Sequence, residues 1–303
     1  MAVSDVITFG SAIADVILKL RQPFAAGEKT EAEKIGVFSG GAGTNAAVCL
    51  SRLGLKVGAV CRLGKDLCGD LIIKDLRKEK VDLRFLTRKD NETDLSVILV
   101  YPNGKRTILV CRGKTRLEKD DFSWQKIKGT KWFYLGSLEG NINLSEKLIA
   151  FACENNIKVA WNPGKRELKN REKIFALAKK VTVFSLNREE AEELLKVKFE
   201  TRSFWQKARR ISKSFIIVTN GRKGAYLLNN LNTNIPFYLP VKNGRVVDET
   251  GAGDAFSATF VAGLIKGINP QKAFKLAMQN AASVVRHFGA KEGMLKEELE
   301  TRN

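Results

Sequence analysis

The sequence predicts an α/β fold in which a doubly wound, mostly parallel β-sheet is flanked by helices and accompanied by a small second sheet. Short apolar runs, typical of strands buried on both faces, recur along the chain; they lie at 57–60, 132–135, 159–161, 181–184 and 215–218. Helical patterns alternate with them; they lie at 45–53, 70–79, 145–155, 188–196 and 205–212. This alternation indicates βαβ units, in which helices join parallel strands.

Two stretches depart from the alternation and predict the small second sheet. Residues 94–100 and 105–110 have the pattern of antiparallel strands, and Asn103-Gly104 between them readily adopts the positive φ of a tight turn. The segment 16–38 also contains short apolar pieces without a helical period. We therefore expect one domain over residues 1–303, with a β-sheet lid formed by insertions at about 16–38 and 94–112.

The composition argues against several classes of protein. An apolar content of 44% in 303 residues is ordinary for a packed globular core. Charged residues interrupt every apolar stretch well before the roughly 20 residues that span a bilayer, and the first ten residues predict a strand and not a signal peptide. Five cysteines and a single histidine, His287, offer no zinc ligand set at the usual spacing. We expect a soluble, cytoplasmic protein without a membrane partner.

The net charge of +19 would favour polyanions, including nucleic acids. Lysines and arginines are nevertheless dispersed among acidic residues along the whole chain, without a basic tail or a stripe with interleaved aromatic residues. A specific nucleic-acid function is therefore not expected. A catalytically silent basic scaffold or nucleic-acid binder remains the alternative from another functional class.

The motif that points most directly to chemistry is Asp-Glu-Thr-Gly-Ala-Gly-Asp at 248–254, which precedes an apolar helical run. Glycines before a helix let backbone N–H groups converge on an anion, and the helix dipole adds its positive end. A carboxylate at Asp254 would lie beside that anion. Phosphoryl transfer requires this pairing, because it needs donors for the transferred group and a base for the attacking hydroxyl. The alternative is a turn in which Asp254 only stabilises the helix start.

A second glycine-rich segment, Ser-Gly-Gly-Ala-Gly-Thr-Asn at 39–45, also opens a predicted helix. It lacks the Gly-x-Gly-x-x-Gly spacing of dinucleotide-binding folds, because Ala46 stands where the third glycine is required. The chain's Gly-Lys-Thr, at 113–115, lacks the first glycine of a P-loop, since Ile108 occupies that position. Dehydrogenase and P-loop enzyme classes therefore lose support, and Asn45 is left as a hydrogen-bonding side chain or as a helix cap.

In their order along the chain, these two segments resemble the signatures of the PfkB, or ribokinase-like, carbohydrate kinase family. Gly40-Gly41, Asn45 and 52–54 resemble the first signature, and 248–254 resembles the second. Weaker matches precede the first signature, fill the gap between the two and follow the second; they lie at 10–15, 63–69, 187–190, 219–225 and 280–282. The resemblance covers essentially the whole chain. It implies a ribokinase-like fold and transfer of the ATP γ-phosphoryl to a hydroxyl, preferably that of a primary alcohol, on a sugar or sugar derivative.

The resemblance also implies roles for individual residues. Asp254 would be the general base, and Gly251, Ala252 and Gly253 would form the anion hole. The substrate-binding residues would be Asp15, Gly40, Gly41, Asn45, Arg112 and Arg166, the two arginines meeting an anionic group or simply being solvated. The nucleotide-binding residues would be Asn187, Thr219, Gly221, Gly224 and Asn280.

The same resemblance implies ATP and Mg²⁺ as cofactors. Asn187 and Glu190 would organise Mg²⁺ through waters, because this ion keeps part of its hydration shell. The structural alternative for this pair is a capping box at a helix start, in which each residue bonds the backbone N–H of the other. Asp248 and Thr250 would ligate a monovalent cation such as K⁺, although Gly293 stands where relatives often have a hydroxyl ligand.

The identity of the acceptor stays open at the level of the sequence. Ribokinases typically carry a lysine where this chain has Ala42, so a strict ribokinase is not implied. A nucleoside kinase of the adenosine type, which uses the same catalytic turn, is the alternative within the family. A homodimer formed through the lid is a further expectation.

Overall fold

A computed structural model of the protein describes residues 4–103, 105–212, 214–230, 235–241, 244 and 246–296. Within these residues, the central sheet has eight strands. The strands are β1 Val6–Phe9, β4 Val57–Val60, β9 Trp132–Leu135, β10 Lys158–Trp161, β11 Val183–Asn187, β12 Phe215–Thr219, β13 Ala225–Asn229 and β14 Phe237–Leu239. Their order is β14-β13-β12-β11-β10-β9-β1-β4. The pairs are parallel except at β13 and β14, which add an antiparallel edge. The prediction of a mostly parallel sheet is confirmed.

Helices cover both faces of this sheet. The helices are α1 Ala42–Arg52, α2 Leu67–Lys78, α3 Trp124–Ile127, α4 Ile142–Glu154, α5 Arg171–Ala178, α6 Arg188–Leu195, α7 Arg202–Ala208, α8 Ala252–Ile265 and α9 Pro270–Val284. One core cluster packs α1, α2, α8 and α9 against the sheet, and the other packs α3 to α7 against the opposite face. Residues 255–263 of α8 are all buried, because this apolar helix lies against α1, α9 and the sheet.

A separate four-stranded sheet confirms the second sheet predicted from the hairpin pattern. Its strands are β2 Ile13–Leu20, β3 Ala32–Gly40, β7 Asp94–Val100 and β8 Arg106–Cys111, in the order β3-β2-β7-β8. The antiparallel pairs β2–β3 and β7–β8 are joined by the parallel pair β2–β7. The first pair extends beyond the expected 16–38 at both ends, and the turn residue Gly104 lies outside the described residues. A third sheet consists of β5 Arg62–Gly64 and β6 Thr87–Lys89.

The two faces of the four-stranded sheet differ in their surroundings. Ile17, Ile98 and Val100 point toward Phe288 and form a small core with it. Asp15 and Ser96, which are paired across β2 and β7, lie on this inner face as well, because alternate residues of a strand share a face. The sheet therefore holds a buried carboxylate above the carboxyl end of β1, where parallel sheets bind ligands.

A buried ion pair joins α1 to α2 beneath this region. Arg52 donates two hydrogen bonds to the Glu79 carboxylate, at 2.8 and 2.6 Å, and both side chains are more than nine-tenths buried. The guanidinium also donates to the backbone oxygen of Lys291. This pair lowers the pKa of Glu79 chiefly through the hydrogen bonds from Arg52. It ties the C-terminal ends of α1 and α2 to each other and to the turn at Lys291.

Replacing Arg52 with Met should lower the free energy of unfolding by about 3–5 kcal/mol, because Glu79 would keep a buried charge without its partner. Urea unfolding followed by circular dichroism measures the change. The matched control is Arg116→Met in the exposed pair Arg116–Glu118, for which we expect a loss of at most about 1 kcal/mol. Equal effects of the two substitutions would contradict this account of the ion pair.

Candidate active site

The N-termini of α1 and α8 meet at the carboxyl edge of the central sheet. Both helices are preceded by a glycine with positive φ, Gly41 at 97° and Gly251 at 79°. A β-carbon at Gly41 would lie 2.4 Å from the Ser11 carbonyl oxygen, and one at Gly251 would lie 2.3 Å from that of Ala290. These positions require glycine for both conformation and space. Because glycine has no side chain that could cap the helix, the positive end of the α8 dipole faces the adjacent pocket directly.

Asp254, in the first turn of α8, is held by Asn45 from the first turn of α1. The Asn45 side-chain nitrogen donates to Asp254 Oδ2 at 2.9 Å. Asn45 is almost completely buried, and its Oδ1 has no hydrogen-bond partner among the described residues. An unpaired buried acceptor is costly, so this oxygen is well suited to receive a ligand hydroxyl.

The electrostatic surroundings of Asp254 suit a base that works near neutral pH. Burial raises the pKa of Asp254 to about 6, while the hydrogen bond from Asn45 acts in the opposite direction. The positive charges of Arg106 and Lys291 also lower this pKa, and the negative charge of Asp15 raises it. The carboxylate is therefore ionised at pH 7 and retains a useful affinity for a proton.

Asp15 forms the other wall of this junction. Its side chain is buried, accepts a hydrogen bond from the Ser96 hydroxyl, and lies so close to Gly40 that a β-carbon there would be 1.8 Å from Asp15 Oδ2. Burial raises the pKa of Asp15, and the negative charge of Asp248 adds to this effect. The structure thus brings Asp15, Gly40 and Gly41 to the start of α1, which also carries Asn45.

Lys291 supplies a buried positive charge that the sequence analysis missed. Its ammonium donates to Ser39 Oγ at 2.6 Å and to Asp75 Oδ2 at 2.9 Å, and the residue is 5% exposed. Ser39 directly precedes Gly40 at the end of β3, so Lys291 ties α2 to the turn before α1. Burial lowers the pKa of Lys291, and Asp75 opposes this effect. A single lysine after a glycine and an alanine carries no sequence signal for such a role.

A pocket of about 210 Å³ opens between α8 and the ends of β11 and β12. It brings together five of the predicted site residues, Gly253, Asp254, Asn187, Glu190 and Thr219. Other lining residues did not appear among the predicted site residues; they are Ala42, Ser137, Asn162, Pro163, Gly164, Ser185, Leu186 and Ser257. The pocket is therefore lined largely by carboxylates, amides and hydroxyls, which suit a polar ligand.

Asn187 and Glu190 form the capping box that the sequence admitted as an alternative. Asn187 Oδ1 accepts from the Glu190 backbone N–H at 2.8 Å, and Glu190 Oε2 accepts from the Asn187 N–H at 2.9 Å. Both side chains also line the pocket. Burial raises the pKa of Glu190. Among the described residues, no three His, Cys, Asp or Glu side chains cluster at metal-binding distance, so Mg²⁺ here would need water or phosphate oxygens as additional ligands.

The residues predicted for the nucleotide do not all lie together. Thr219 ends β12 and lines the pocket, and Gly221 and Gly224 lie in the turn from β12 to β13. Asn280 requires a correction, because it is completely buried in α9. Its amide donates to Thr259 Oγ1 at 2.7 Å and accepts from the Leu295 N–H at 2.9 Å. These bonds commit Asn280 to the core, so its predicted nucleotide contact was wrong.

Arg112 is held by two acidic side chains. Its guanidinium donates to Asp94 Oδ2 at 2.5 Å and to Glu139 Oε1 at 2.6 Å. Burial and the charge of Asp94 raise the pKa of Glu139 to about 7, and Arg112 opposes them. Arg166 lies beside this group, and its charge also lowers the pKa of Glu139. The sequence analysis missed Glu139, whose place four residues after the end of β9, in the loop at the carboxyl edge, was the available signal.

Asp248 and Thr250, the predicted monovalent-cation ligands, are engaged by protein groups. Asp248 Oδ1 accepts from the Thr250 N–H at 2.9 Å and hydroxyl at 2.6 Å, and Oδ2 accepts from the Gly289 N–H at 3.2 Å. Thr250 Oγ1 also accepts from Arg106 Nη1 at 2.8 Å. The K⁺ site stays a prediction.

Comparison with known proteins identifies the family. The family model described as pfkB family carbohydrate kinase matches residues 3–297. The chain belongs to the pfkB family of carbohydrate kinases. Among its relatives, the ribokinase of Lactococcus lactis is 26% identical over 97% of this chain and 94% of its own length. The ATP-dependent 6-phosphofructokinase of Thermoanaerobacterium thermosaccharolyticum is 25% identical over 94% and 89%.

Solved structures share the fold of this pfkB family member. Arabidopsis thaliana ribokinase complexed with ribose and ATP superimposes with a TM-score of 0.81 at 22% identity, covering 97% of this chain and 96% of that one. A putative ribokinase II from E. coli, in complex with ATP and Mg²⁺, has a TM-score of 0.83 at 21% identity, with 96% of each chain covered. Adenosine kinase from Sinorhizobium meliloti has a TM-score of 0.81 at 20% identity and the same coverage. The ribokinase-like fold is thereby confirmed.

These comparisons place the chain among the carbohydrate kinases of the pfkB family. Within the described residues, none of the helices combines the length and apolar character that crossing a bilayer requires.

Replacing Asp254 with Asn should stabilise the folded protein at alkaline pH. The pKa of Asp254 is about 6 in the folded protein against an ordinary 3.8, so ionisation costs stability increasingly as the pH rises between these values. We expect Asp254→Asn to raise the free energy of unfolding by about 3 kcal/mol at pH 8, with the gain shrinking toward pH 4. Urea unfolding at both values measures it. The control Asp120→Asn removes a highly exposed carboxylate, and the same gain in both variants, or no pH dependence, would refute the assignment.

Proposed function

We propose that this protein transfers the γ-phosphoryl group of ATP to a hydroxyl, preferably a primary alcohol, of a sugar or sugar derivative. The observation that carries the proposal is the hydrogen bond of Asn45 to Asp254, which sets a base of raised pKa at the positive end of α8. Family membership supports the same reaction. ATP as the donor is supported by relatives that were solved with it.

The proposed reaction needs few groups. Asp254 accepts the proton of the acceptor hydroxyl as that oxygen forms a bond to the γ-phosphorus. The bond from the phosphorus to the bridging oxygen of ATP breaks, and ADP leaves with that electron pair. The backbone at Gly251, Ala252 and Gly253 and the α8 dipole stabilise the charge on the transferred group.

Asn187 and Glu190 would hold the hydrated Mg²⁺, which when bound neutralises part of the phosphate charge. Their capping box is compatible with this role, because both side chains line the pocket that also contains Asp254. The lid would consist of Ile13–Gly40 and Asp94–Cys111. It would exclude water, so that ATP is not hydrolysed when no acceptor is bound.

The walls around the acceptor position favour a polyhydroxyl ligand. Asp15 and the unpartnered Oδ1 of Asn45 can accept hydrogen bonds from neighbouring hydroxyls. The charge of Arg112 is already compensated by Asp94 and Glu139, so it offers little free positive charge for an acidic sugar. A nucleoside acceptor is the second candidate, supported by the shared fold with an adenosine kinase.

Replacing Asp254 with Asn should lower kcat by at least about 100-fold with little change in ATP affinity, because Asn cannot accept the proton. In the unaltered enzyme, kcat/KM should fall below about pH 6, since protonation of Asp254 removes the base. A coupled ADP assay across pH 5 to 9 measures both effects. Near-normal turnover by the Asn variant would remove Asp254 from the mechanism.

A panel of ribose, fructose and adenosine, each with ATP and Mg²⁺, separates the candidate acceptors. Turnover of a sugar in preference to adenosine supports the proposal, and the reverse supports the nucleoside alternative. No turnover of any acceptor, together with salt-dependent retention on nucleic acid, would favour the basic scaffold.

We also propose that two copies associate through the outer face of the four-stranded sheet. Paired positions of neighbouring strands point to the same side, and the pairing therefore identifies the residues of this face. Most of them are apolar; they include Val16, Leu18, Ile35, Val37, Leu95, Val97, Leu99 and Leu109. Ile35, Val37 and Leu109 are each more than half exposed. A continuous apolar face of this kind is typical of a contact surface between proteins.

Introducing Lys at Val37 and Leu109 together should shift the protein from dimer to monomer, because charge would be buried between the copies. Size-exclusion chromatography with light scattering measures the mass. The control Leu67→Lys alters a highly exposed leucine on α2, outside this face, and should leave the dimer intact. A monomeric unaltered protein would refute the dimer.

A further inference from the structure

Arg106 lies on the small sheet, and its exposed side chain reaches the rim of the active site. It is the first residue of β8 and pairs with Val100 of β7, which is buried on the inner face of the sheet. Paired residues of antiparallel strands share a face, so the Arg106 side chain extends toward the helix starts below. The sequence analysis did not select it.

The guanidinium of Arg106 reaches the rim of the anion hole. Its Nη1 donates to Thr250 Oγ1 at 2.8 Å, and the Thr250 hydroxyl in turn donates to Asp248 Oδ1 at 2.6 Å. Thr250 directly precedes Gly251, the residue at which the anion hole begins. The positive charge of Arg106 also acts on both Asp15 and Asp254, so it lies within electrostatic reach of the two carboxylates that flank the acceptor position.

The charge balance of the site calls for such a cation. A phosphoryl group in transfer carries negative charge toward Asp254 and Asp15, and the α8 dipole supplies only about half a positive charge. Lys291 is committed to Asp75, and Arg112 is committed to Asp94 and Glu139. Within the described part of the chain, Arg106 forms no ion pair, and the partner that it contacts is a neutral hydroxyl.

We propose that Arg106 is a catalytic residue that completes the anion hole from the small sheet. When ATP and the acceptor are bound, its guanidinium exchanges the Thr250 hydroxyl for oxygens of the transferred phosphoryl, for which its planar fork of donors is well suited. Because the contact comes from the lid, the full set of phosphoryl ligands exists only when the lid lies over the site. This inference rests on the proposed kinase function.

The test compares Arg106→Met, Arg106→Lys and the control Lys105→Met with the unaltered enzyme. Lys105 is the neighbouring residue, so its substitution removes the same charge from the same end of the sheet. With the neutral acceptor that turns over fastest in the panel, Arg106→Met should lower kcat by at least about 100-fold and change both KM values by less than about threefold. Arg106→Lys should recover about a tenth of the lost rate, because it restores charge without the fork.

A kcat of Arg106→Met within about threefold of the unaltered enzyme would overturn the inference. An effect confined to the KM of the acceptor would do so as well, because Arg106 would then bind the acceptor. If the unaltered protein phosphorylates nothing, the proposed function fails, and Arg106 is tested separately with ADP and aluminium fluoride, which mimics the transferred group. Thermal stabilisation by this pair should be lost in Arg106→Met and kept in Lys105→Met, and stabilisation of all variants alike would overturn the inference.

Discussion

Two helix N-termini that are held side by side determine the architecture of the site. Asn45 and Asp254 are 209 residues apart in the chain, yet their side chains share a hydrogen bond of 2.9 Å. Glycine before each helix permits the backbones to approach, at Gly41 against Ser11 and at Gly251 against Ala290. Packing of the apolar α8 between α1 and α9 then fixes the angle at which the first turns meet. The proposed base, the proposed anion hole and the proposed acceptor position all depend on this junction.

The junction concentrates negative charge, because it holds the buried Asp15 close to Asp254, which lines the pocket. The negative charge of Asp15 raises the pKa of Asp254, and the negative charge of Asp248 raises the pKa of Asp15. Lys291 lies beneath them and Arg106 above them, so the carboxylates are held between two cations from different elements. An arrangement of this kind is less stable than an apolar one of the same shape, but it prepares the site for a reaction in which charge moves.

The sequence was sufficient where function depends on local motifs. The glycine-rich turns predicted the starts of α1 and α8, and the apolar runs predicted the strands whose ends line the pocket. Both signals lie within a few neighbouring residues. It was insufficient for single residues whose role arises from tertiary contact. Asn280 follows a family pattern but turns into the core, while Arg106, Glu139 and Lys291 lie in unremarkable local sequence. Their surroundings come from strands and helices far away in the chain.

The parallel pairing of β2 with β7 has a consequence for how the molecule assembles. Ile13 pairs with Asp94, although α1, α2 and three strands of other sheets, β4, β5 and β6, intervene in the chain. Closing such a long loop costs entropy before any contact compensates for it, so nonlocal strand pairs tend to form slowly. The hairpins β2–β3 and β7–β8 can form locally, whereas their union requires α1 and α2 to be in place. We therefore expect the central sheet with α1 and α2 to fold first, and the four-stranded sheet to assemble late in folding.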